Sequence, residues 1–253
     1  MPQPKNLVVY TAISGNYNPL RNPSLVSKQI DYVCFTDQPL WHKLANNTVW
    51  NTLPFPRETQ GLDSVRACRM VKLLPHLFFP KYDYSIWVDG SIDILGDVHA
   101  LLAEYDYPDM LCFKHPRRSC IYEEGRICIE LGKDDPLVIR NQLQAYGDQG
   151  FPSQAGLIES GVLIRRHNTP VIQKVMEDWW REIKVHSRRD QLSFPYIAWR
   201  NHFTPTTMGS DSVWGTSKVF ALRMDSYHGD KNVTVLERLR ILVEMHLLWR
   251  FRR

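Results

Sequence analysis

Strand-like and helix-like segments alternate along this chain, and that alternation restricts the possible folds more than any other feature. The segments "KNLVVYTAI" and "DYVCFTD" have the composition of strands, and each runs into a polar loop before residue 40. The segments "LDSVRACRMVKLLPHLF" and "TPVIQKVMEDWWREIKVHS" have apolar residues at helical spacing, and the strand candidates "DMLCFKH" and "GVLIRRH" lie between these two helices. The pattern predicts an α/β fold with a mostly parallel or mixed central sheet and helices on both faces.

The length and composition suit one large domain. The 253 residues are 43% hydrophobic and 11% aromatic, which is enough apolar material for a packed core. We see no linker and no internal repeat, so we predict one domain over residues 1–232, followed by an amphipathic basic helix over residues 233–253.

Charge and cysteine usage exclude some functions. The net charge of +4 is spread along the chain without a basic block until the last residues, so nucleic acid is not an expected partner. The five cysteines are odd in number and lack Cys-x-x-Cys spacing, which argues against a zinc knuckle and a full disulfide framework. We find neither a membrane-spanning apolar run nor a signal-peptide core, so we expect a cytoplasmic location.

One predicted strand ends on a carboxylate. In "YDYSIWVDGSIDI" the β-rich residues 84–88 precede Asp89, and Gly90 and Ser91 then break the strand. Ligands of open α/β sheets bind beyond the carboxyl ends of the strands, so Asp89 is a candidate binding residue. The alternative is that Asp89 only caps a turn or the next helix.

Three basic residues follow one another at three-residue spacing on a predicted helix. Arg66, Arg69 and Lys72 would lie near one helix face, where they could present cationic donors to a diphosphate. The alternative is an ordinary solvated helix face.

The irregular segment "KHPRRSCIYEE" is rich in polar and aromatic side chains. Loops of this kind after a sheet strand are often binding surfaces, and an aromatic ring beside carboxylates suits sugar hydroxyls. The candidate acceptor-binding residues here are His115, Arg117, Tyr122 and Glu123. The alternative is a structured surface loop without a ligand.

Six segments, in order, resemble a glycosyltransferase-like family that was long labelled a domain of unknown function. Members occur in bacteria and in plants, where they are tied to cell-wall mucilage and turgor. The chain is also similar to the wider GT-A superfamily of nucleotide-sugar transferases. The resemblance implies transfer of a sugar from a nucleotide-sugar donor, of the UDP type, to a glycan or lipid-linked acceptor in cell-surface polysaccharide synthesis. The segments are "VVYTAISGNY", "DYVCFTD", "RACRMVKLLPHLFFPKYDYSIWVDGS", "HPRRSCIYEE", "ESGVLIRRHN" and "RRDQLSFPYIAW".

The resemblance also assigns donor-binding residues. It places the nucleoside at the loop after the first strand and at the end of the second strand, and it places the diphosphate near the basic helix and the strand with the terminal carboxylate. Ordinary strand-end turns are the alternative for the first two positions. The implied donor set is Thr11, Ala12, Gly15, Asp37, Arg66, Arg69, Lys72, Asp89, Gly90, Ser91 and Lys231.

The resemblance further implies a divalent metal, Mn²⁺ or Mg²⁺. Asp89 matches the first acid of the Asp-x-Asp motif, Ser91 stands where the second acid is expected, and His228 matches the C-terminal histidine that completes the site in relatives. Both metals prefer oxygen ligands with carboxylate charge, and Ser91 has none, so metal dependence stays open. The alternative for His228 is a surface histidine without a ligand.

Two acids are candidates for catalysis. The resemblance places Asp190 where an acid meets the acceptor hydroxyl, and it places Glu159 at a strand entrance beneath the donor sugar, with Ser160 and Gly161 beside the acceptor. We favour Asp190 over Glu159. A first-turn or N-cap role at the next helix is the structural alternative for Asp190 and is compatible with catalysis.

Other functions remain open. A non-catalytic nucleotide- or carbohydrate-binding module would explain the missing second acid. A hydrolase of lipid amides is not supported, because the sequence has no Gly-x-Ser-x-Gly elbow and its histidines lack zinc-ligand spacing. The segment "VLERLRILVEMHLLWRFRR" could pack on the core or lie on the anionic inner face of a membrane as a peripheral contact.

Overall fold

The computed structural model describes residues 6–15, 17–38 and 48–223. The candidates His228 and Lys231 and the helix predicted over residues 233–253 lie outside these residues. Within the described part, no helix is long and apolar enough to cross a membrane.

Seven strands of the described residues form one mixed sheet, and two short strands pair separately. The strands are β1 (Leu7–Ile13), β2 (Ile30–Thr36), β3 (Asn51–Leu53), β4 (Tyr84–Val88), β5 (Ile92–Ile94), β6 (Met110–Lys114), β7 (Ile158–Arg165), β8 (Thr206–Thr207) and β9 (Phe220–Leu222). The sheet order is β3-β2-β1-β4-β7-β6-β8, while β5 pairs with β9. β1 is parallel to β2 and β4, whereas β7 runs antiparallel to both β4 and β6.

Helices connect the strands and cover the sheet. They are α1 (Ser64–Leu73), α2 (Pro75–Phe78), α3 (Val98–Glu104), α4 (Ile121–Glu130), α5 (Pro136–Asp148), α6 (Pro170–Val185) and α7 (Asp190–Arg200). Asp63, Asp97 and Asp135 cap α1, α3 and α5, because each carboxylate accepts hydrogen bonds from two first-turn amides.

Alternate residues of β1 enter two hydrophobic cores. Val8 and Tyr10 pack with apolar side chains of α1, α6 and α7, while Leu7 and Val9 face the opposite side, where they pack with α3. Because successive strand side chains point to opposite faces, burial of both sets requires cover on both faces of the sheet. The predicted α/β class, with a mixed sheet and helices on both faces, is confirmed.

The antiparallel direction of β7 determines which residues meet at the sheet edge. The carboxyl ends of β1, β4 and β6 lie beside the amino end of β7. The backbone amide of Asp89 donates to the carbonyl of Gly161 at 2.8 Å, which extends the pairing of β4 with β7 to this edge. The edge therefore brings together Ser14, Asp89, His115 and Glu159, which follow or begin four different strands.

Candidate active site

A cavity of about 580 Å³ opens at this edge of the sheet. Its walls are the ends of the central strands, helices α1 and α4, and the first turn of α7. Many of the candidates from the sequence line it together: Ala12, Arg69, Asp89, Gly90, Ser91, His115, Glu159, Ser160, Gly161 and Asp190. The structure thus joins residues from distant parts of the chain in one site.

A buried ion cluster forms the centre of the cavity. Lys72 Nζ lies 2.6 Å from Asp190 Oδ2 and 3.6 Å from Asp89 Oδ1. Arg69 Nε lies 3.2 Å from the same Asp190 oxygen. Lys72 is fully buried and also lies over the ring of Trp87. The one-turn spacing of Arg69 and Lys72 on α1 therefore directs both cations to one carboxylate on α7.

Asp190 is held in its ionised form. Burial on its own would raise the pKa of this carboxyl, but the nearby positive charges of Arg69, Lys72 and Arg189 outweigh burial and lower it well below its usual range. Asp190 is the first residue of α7, so the helix dipole also favours its negative charge. A carboxylate this stable is a poor proton acceptor near neutral pH.

Asp89 lines the cavity, and one of its oxygens is engaged within the protein. Its Oδ1 accepts a hydrogen bond from Trp87 Nε1 at 2.7 Å. A Cβ atom added to Gly161 would lie 3.5 Å from Asp89 Oδ2 and only 2.8 Å from Ile92 Cδ1. Glycine at 161 therefore allows β7 to approach Ile92 and Asp89 closely.

The described residues alone do not assemble the predicted metal site. They contain no group of three or more His, Cys, Asp or Glu side chains that could hold a metal ion. Ser91 lines the cavity, but the next acid along the chain, Asp93, turns away and binds Ser24 and Arg223. His228 lies outside the described part of the chain, so metal binding stays a prediction.

Glu159 is a second carboxyl in the cavity, and its pKa is shifted in the opposite direction to that of Asp190. It is 6% exposed, and its oxygens accept from Ser212 Oγ at 3.2 and 3.3 Å. Burial raises the pKa of Glu159 to about 7, although hydrogen bonds from Ser212, Trp214 and the backbone of Val213 partly oppose the shift. Of the two acids, Glu159 is the one that can exchange a proton near neutral pH.

The loop after β1 forms one end of the cavity. Ala12 and Ser14 line it, and Gly90 packs beside Asn18. Asp37 accepts from the backbone amide of Gly15 at 2.9 Å and from Ser14 Oγ at 2.7 Å.

Gly15 has a φ of 58°, a left-handed conformation that glycine adopts readily. Gly15 and Asp37 therefore hold the loop in its conformation, but they are not lining residues of the cavity. Thr11 is buried beneath this loop and does not line the cavity.

The polar segment after β6 contributes different residues from those predicted. His115 lines the cavity, and burial lowers its pKa to about 4, so it is neutral near pH 7. Arg118 and Glu124, which belong to the same polar segment, also line it and form an ion pair of 2.5 Å. The predicted acceptor residues Arg117, Tyr122 and Glu123 are not among the lining residues, because α4 begins at Ile121 and presents Glu124 to the cavity instead.

The structure places Arg66 away from the predicted donor site. Its guanidinium donates to the carbonyls of Ile183 and His186, near the C-terminal end of α6, and to Asp63. Arg66 is not a lining residue of the cavity. Each three-residue step turns 60° around the helix, so Arg66 lies about 120° from Lys72 and contacts the C-terminal end of α6 instead.

Several lining residues were missed by the sequence analysis. Arg189 and Gln191 flank Asp190, and their place beside a predicted catalytic acid could have indicated them. Ser212 and Trp214 come from a turn-rich segment after the resembling region, and the sequence held no signal for them.

These elements form an α/β domain, and acidic and basic side chains line the cavity at the edge of its sheet. Sequence comparison identifies its family. The family profile of the TOD1/MUCI70 glycosyltransferase-like domain matches residues 1–210. The chain belongs to this family, which confirms the resemblance seen in the sequence.

Two plant relatives show how diverse the family is. The chain is 26% identical over 226 residues to the "Probable hexosyltransferase MUCI70" of Arabidopsis thaliana, covering 78% of this chain and 38% of that protein. It is 27% identical over 232 residues to the "Alkaline ceramidase TOD1" of the same plant, covering 79% of this chain and 49% of that protein. The chain thus spans less than half the length of either relative.

A solved structure with a similar outline is mouse xyloside xylosyltransferase 1 in its apo form. The similarity has a TM-score of 0.45 at 12% sequence identity and covers 83% of this chain and 86% of the mouse chain.

Proposed function

We propose that this protein is a glycosyltransferase that moves a sugar from a UDP-sugar donor to a glycan or lipid-linked acceptor in the synthesis of cell-surface polysaccharide. One observation carries the proposal. A single cavity holds two ionisable carboxyls with opposite pKa shifts, Asp190 and Glu159, beside the cations Arg69 and Lys72. Such a site can stabilise a leaving diphosphate and exchange a proton in the same reaction.

The donor would lie along the sheet edge. The nucleoside fits the loop end of the cavity near Ser14, and the diphosphate then reaches the centre near Asp89 and Arg69. Arg69 offers planar guanidinium donors to phosphate oxygens. Lys72 is fully buried, so we assign it the role of holding Asp190 and Asp89 in place rather than of touching the donor.

Glu159 is the proposed proton acceptor for the acceptor hydroxyl. A general base works best when its pKa lies near the working pH, and the pKa of Glu159 is raised to about 7. Asp190 keeps its negative charge and can stabilise positive charge on the sugar as the bond to the diphosphate breaks. The preference for Asp190 as the base is therefore replaced by a division of roles between the two acids.

A divalent metal would neutralise charge on the leaving diphosphate if it binds. In the described residues Asp89 is the carboxylate that would hold it, with Ser91 as a neutral oxygen ligand.

A panel of nucleotide sugars tests the proposal. The wild-type protein should release nucleoside diphosphate from one UDP-sugar and should gain thermal stability from UDP. The Glu159→Gln variant should stay folded and lose activity by about 10²-fold or more. Glu104→Gln, in a side chain outside the cavity, is the matched control.

The name of one relative calls for a second assay with the same samples. Ceramide hydrolysis by the wild-type protein, with no turnover of any nucleotide sugar, would overturn the proposal in favour of a hydrolase. Binding of UDP without turnover would favour the binding-module alternative.

A further inference from the structure

Four basic side chains line one wall of the cavity, on the side away from the nucleoside loop. We call Arg118, Lys133, Arg188 and Arg189 the basic wall. Arg118 follows β6, Lys133 lies in the turn after α4, and the other two immediately precede α7. Three separate segments thus direct positive charge into the same space.

Nearby acids balance part of the charge of the three arginines, among them Asp63, whose Oδ1 lies 3.9 Å from Arg188 Nη1. Arg118 Nε pairs with Glu124 Oε2 at 2.5 Å, and Arg188 Nε lies 3.5 Å from Asp134 Oδ1. Glu124 lines the cavity, whereas Asp134 does not.

Arg189 lies near the negative charges of Asp190 and Glu124. Its Nη2 reaches the neutral amide oxygen of Gln191 at 3.5 Å, while its buried Nε has no hydrogen-bond partner. A buried guanidinium N–H in a cavity wall is costly unless a ligand accepts from it.

The position of the basic wall separates it from the proposed diphosphate site. Strands β4 and β7 lie between β1 and β6 in the sheet. The nucleoside loop after β1 and Arg118 after β6 are therefore three strand spacings apart, which is about 14 Å. Arg118 is fixed at the β6 end, because its amide donates to His115 Nδ1 at 3.0 Å. Arg69 lies at the centre of the cavity, bound to Asp190. The Arg118 end of the wall therefore lies beyond the proposed site of the donor phosphates, whereas Arg189 adjoins Asp190 near the centre.

We propose that the acceptor is an acidic saccharide whose oxyanion, a carboxylate or a phosphate, binds the basic wall. This inference rests on the proposed glycosyltransferase function and adds the chemical class of its acceptor. Guanidinium groups bind such oxyanions through paired hydrogen bonds, and a cavity that excludes water strengthens that contact. Glu159 is on the same side of Asp89 as the wall, so an acceptor bound there would present its hydroxyl to the proposed base.

Titration of saccharides into the full chain with saturating UDP tests the proposal. The probes are a hexuronic acid hexasaccharide, the neutral hexasaccharide of the same linkage, and glucose 1-phosphate against glucose. We expect the wild-type protein to bind at least one anionic probe about tenfold or more tightly than its neutral counterpart, with the difference shrinking in high salt. The probe that binds shows whether the oxyanion is a carboxylate or a phosphate.

Variants identify the wall as the binding surface. Changing Lys133→Gln and Arg188→Gln together should remove most of the preference for the anionic probe, while UDP affinity stays unchanged. Arg126→Gln is the matched control, because Arg126 lies on α4 outside the cavity and pairs with Glu130 on the surface.

Three results would overturn the inference. Equal affinity for anionic and neutral probes, or no binding of any probe, would show that the wall does not select acidic acceptors. Loss of UDP affinity in the double variant would assign the wall to the donor diphosphate instead. If the wild-type protein fails to bind UDP at all, the proposed function fails first, and the UDP titration distinguishes that case.

Discussion

Replacing Asp190 by asparagine should destabilise the protein strongly at neutral pH. The change removes the charge that faces Lys72 Nζ at 2.6 Å and Arg69 Nε at 3.2 Å, and Lys72 is fully buried. Loss of one member of a buried ion pair typically costs 3 to 5 kcal/mol, because the other charge stays buried without its partner. Asp89 remains 3.6 Å from Lys72 and compensates in part, so we expect a loss of about 3 kcal/mol in the free energy of unfolding.

Urea denaturation of the two proteins measures this loss. The pKa of Asp190 is lowered by folding, so its stabilising contribution is present above its unfolded pKa of about 3.9 and is lost as the pH falls through the folded value. The gap between wild type and Asp190→Asn should therefore be constant near neutral pH and narrow in acid. Glu130→Gln, in an exposed pair with Arg126, is the control and should cost less than about 1 kcal/mol. A loss below about 1 kcal/mol for Asp190→Asn would refute the reasoning.

Three further predictions concern proton exchange, metal and membrane. The pKa of Glu159 is raised to about 7 by folding. The wild-type protein should therefore lose on the order of 3 kcal/mol of stability relative to Glu159→Gln as the pH rises from about 4.5 to 7, as measured by urea denaturation. A stability difference between the two proteins that does not change with pH would contradict the raised pKa. If Asp89 and His228 hold a cation, turnover should fall in EDTA and return with Mn²⁺, whereas full turnover in chelator would show that Arg69 neutralises the leaving diphosphate without a metal. Deleting residues 236–253 should abolish salt-sensitive binding to anionic liposomes and leave the domain folded; an unfolded product or no binding by the intact chain would place this segment on the core.

The fold was largely predictable because its signals are local. Strand-like and helix-like segments are recognisable from spacing alone, and their alternation led directly to a mixed sheet covered on both faces. The position of Asp89 at the end of β4 followed from the Gly90 and Ser91 break in the same way.

The site was harder to predict because it depends on long-range geometry. The contact of Lys72 with Asp190 joins residues 118 apart in sequence, and no local pattern shows that Asp190 would be ionised while Glu159 gains a raised pKa. Those shifts depend on burial and on neighbours from other elements. Trp214 and Ser212 reach the cavity from a segment whose path could not be read from spacing.

The Arg66 error has a separate cause. Spacing placed it with Arg69, but the carbonyls of Ile183 and His186 compete for its guanidinium. Only the packing of α6 against α1 shows that Arg66 is engaged by the protein and that Arg69 is the cation left for a ligand.

Calorimetric titration of UDP into wild type, Arg69→Ala and Arg66→Ala tests the central claim most directly. The two arginines lie on the same helix, but only Arg69 lines the cavity. We expect Arg69→Ala to lower UDP affinity by about 10- to 100-fold, the cost of losing one charge-assisted contact to phosphate, whereas Arg66→Ala should bind UDP as the wild type does. Unchanged affinity in folded Arg69→Ala, or an equal loss in folded Arg66→Ala, would contradict the assignment of this cavity to a nucleotide-sugar donor.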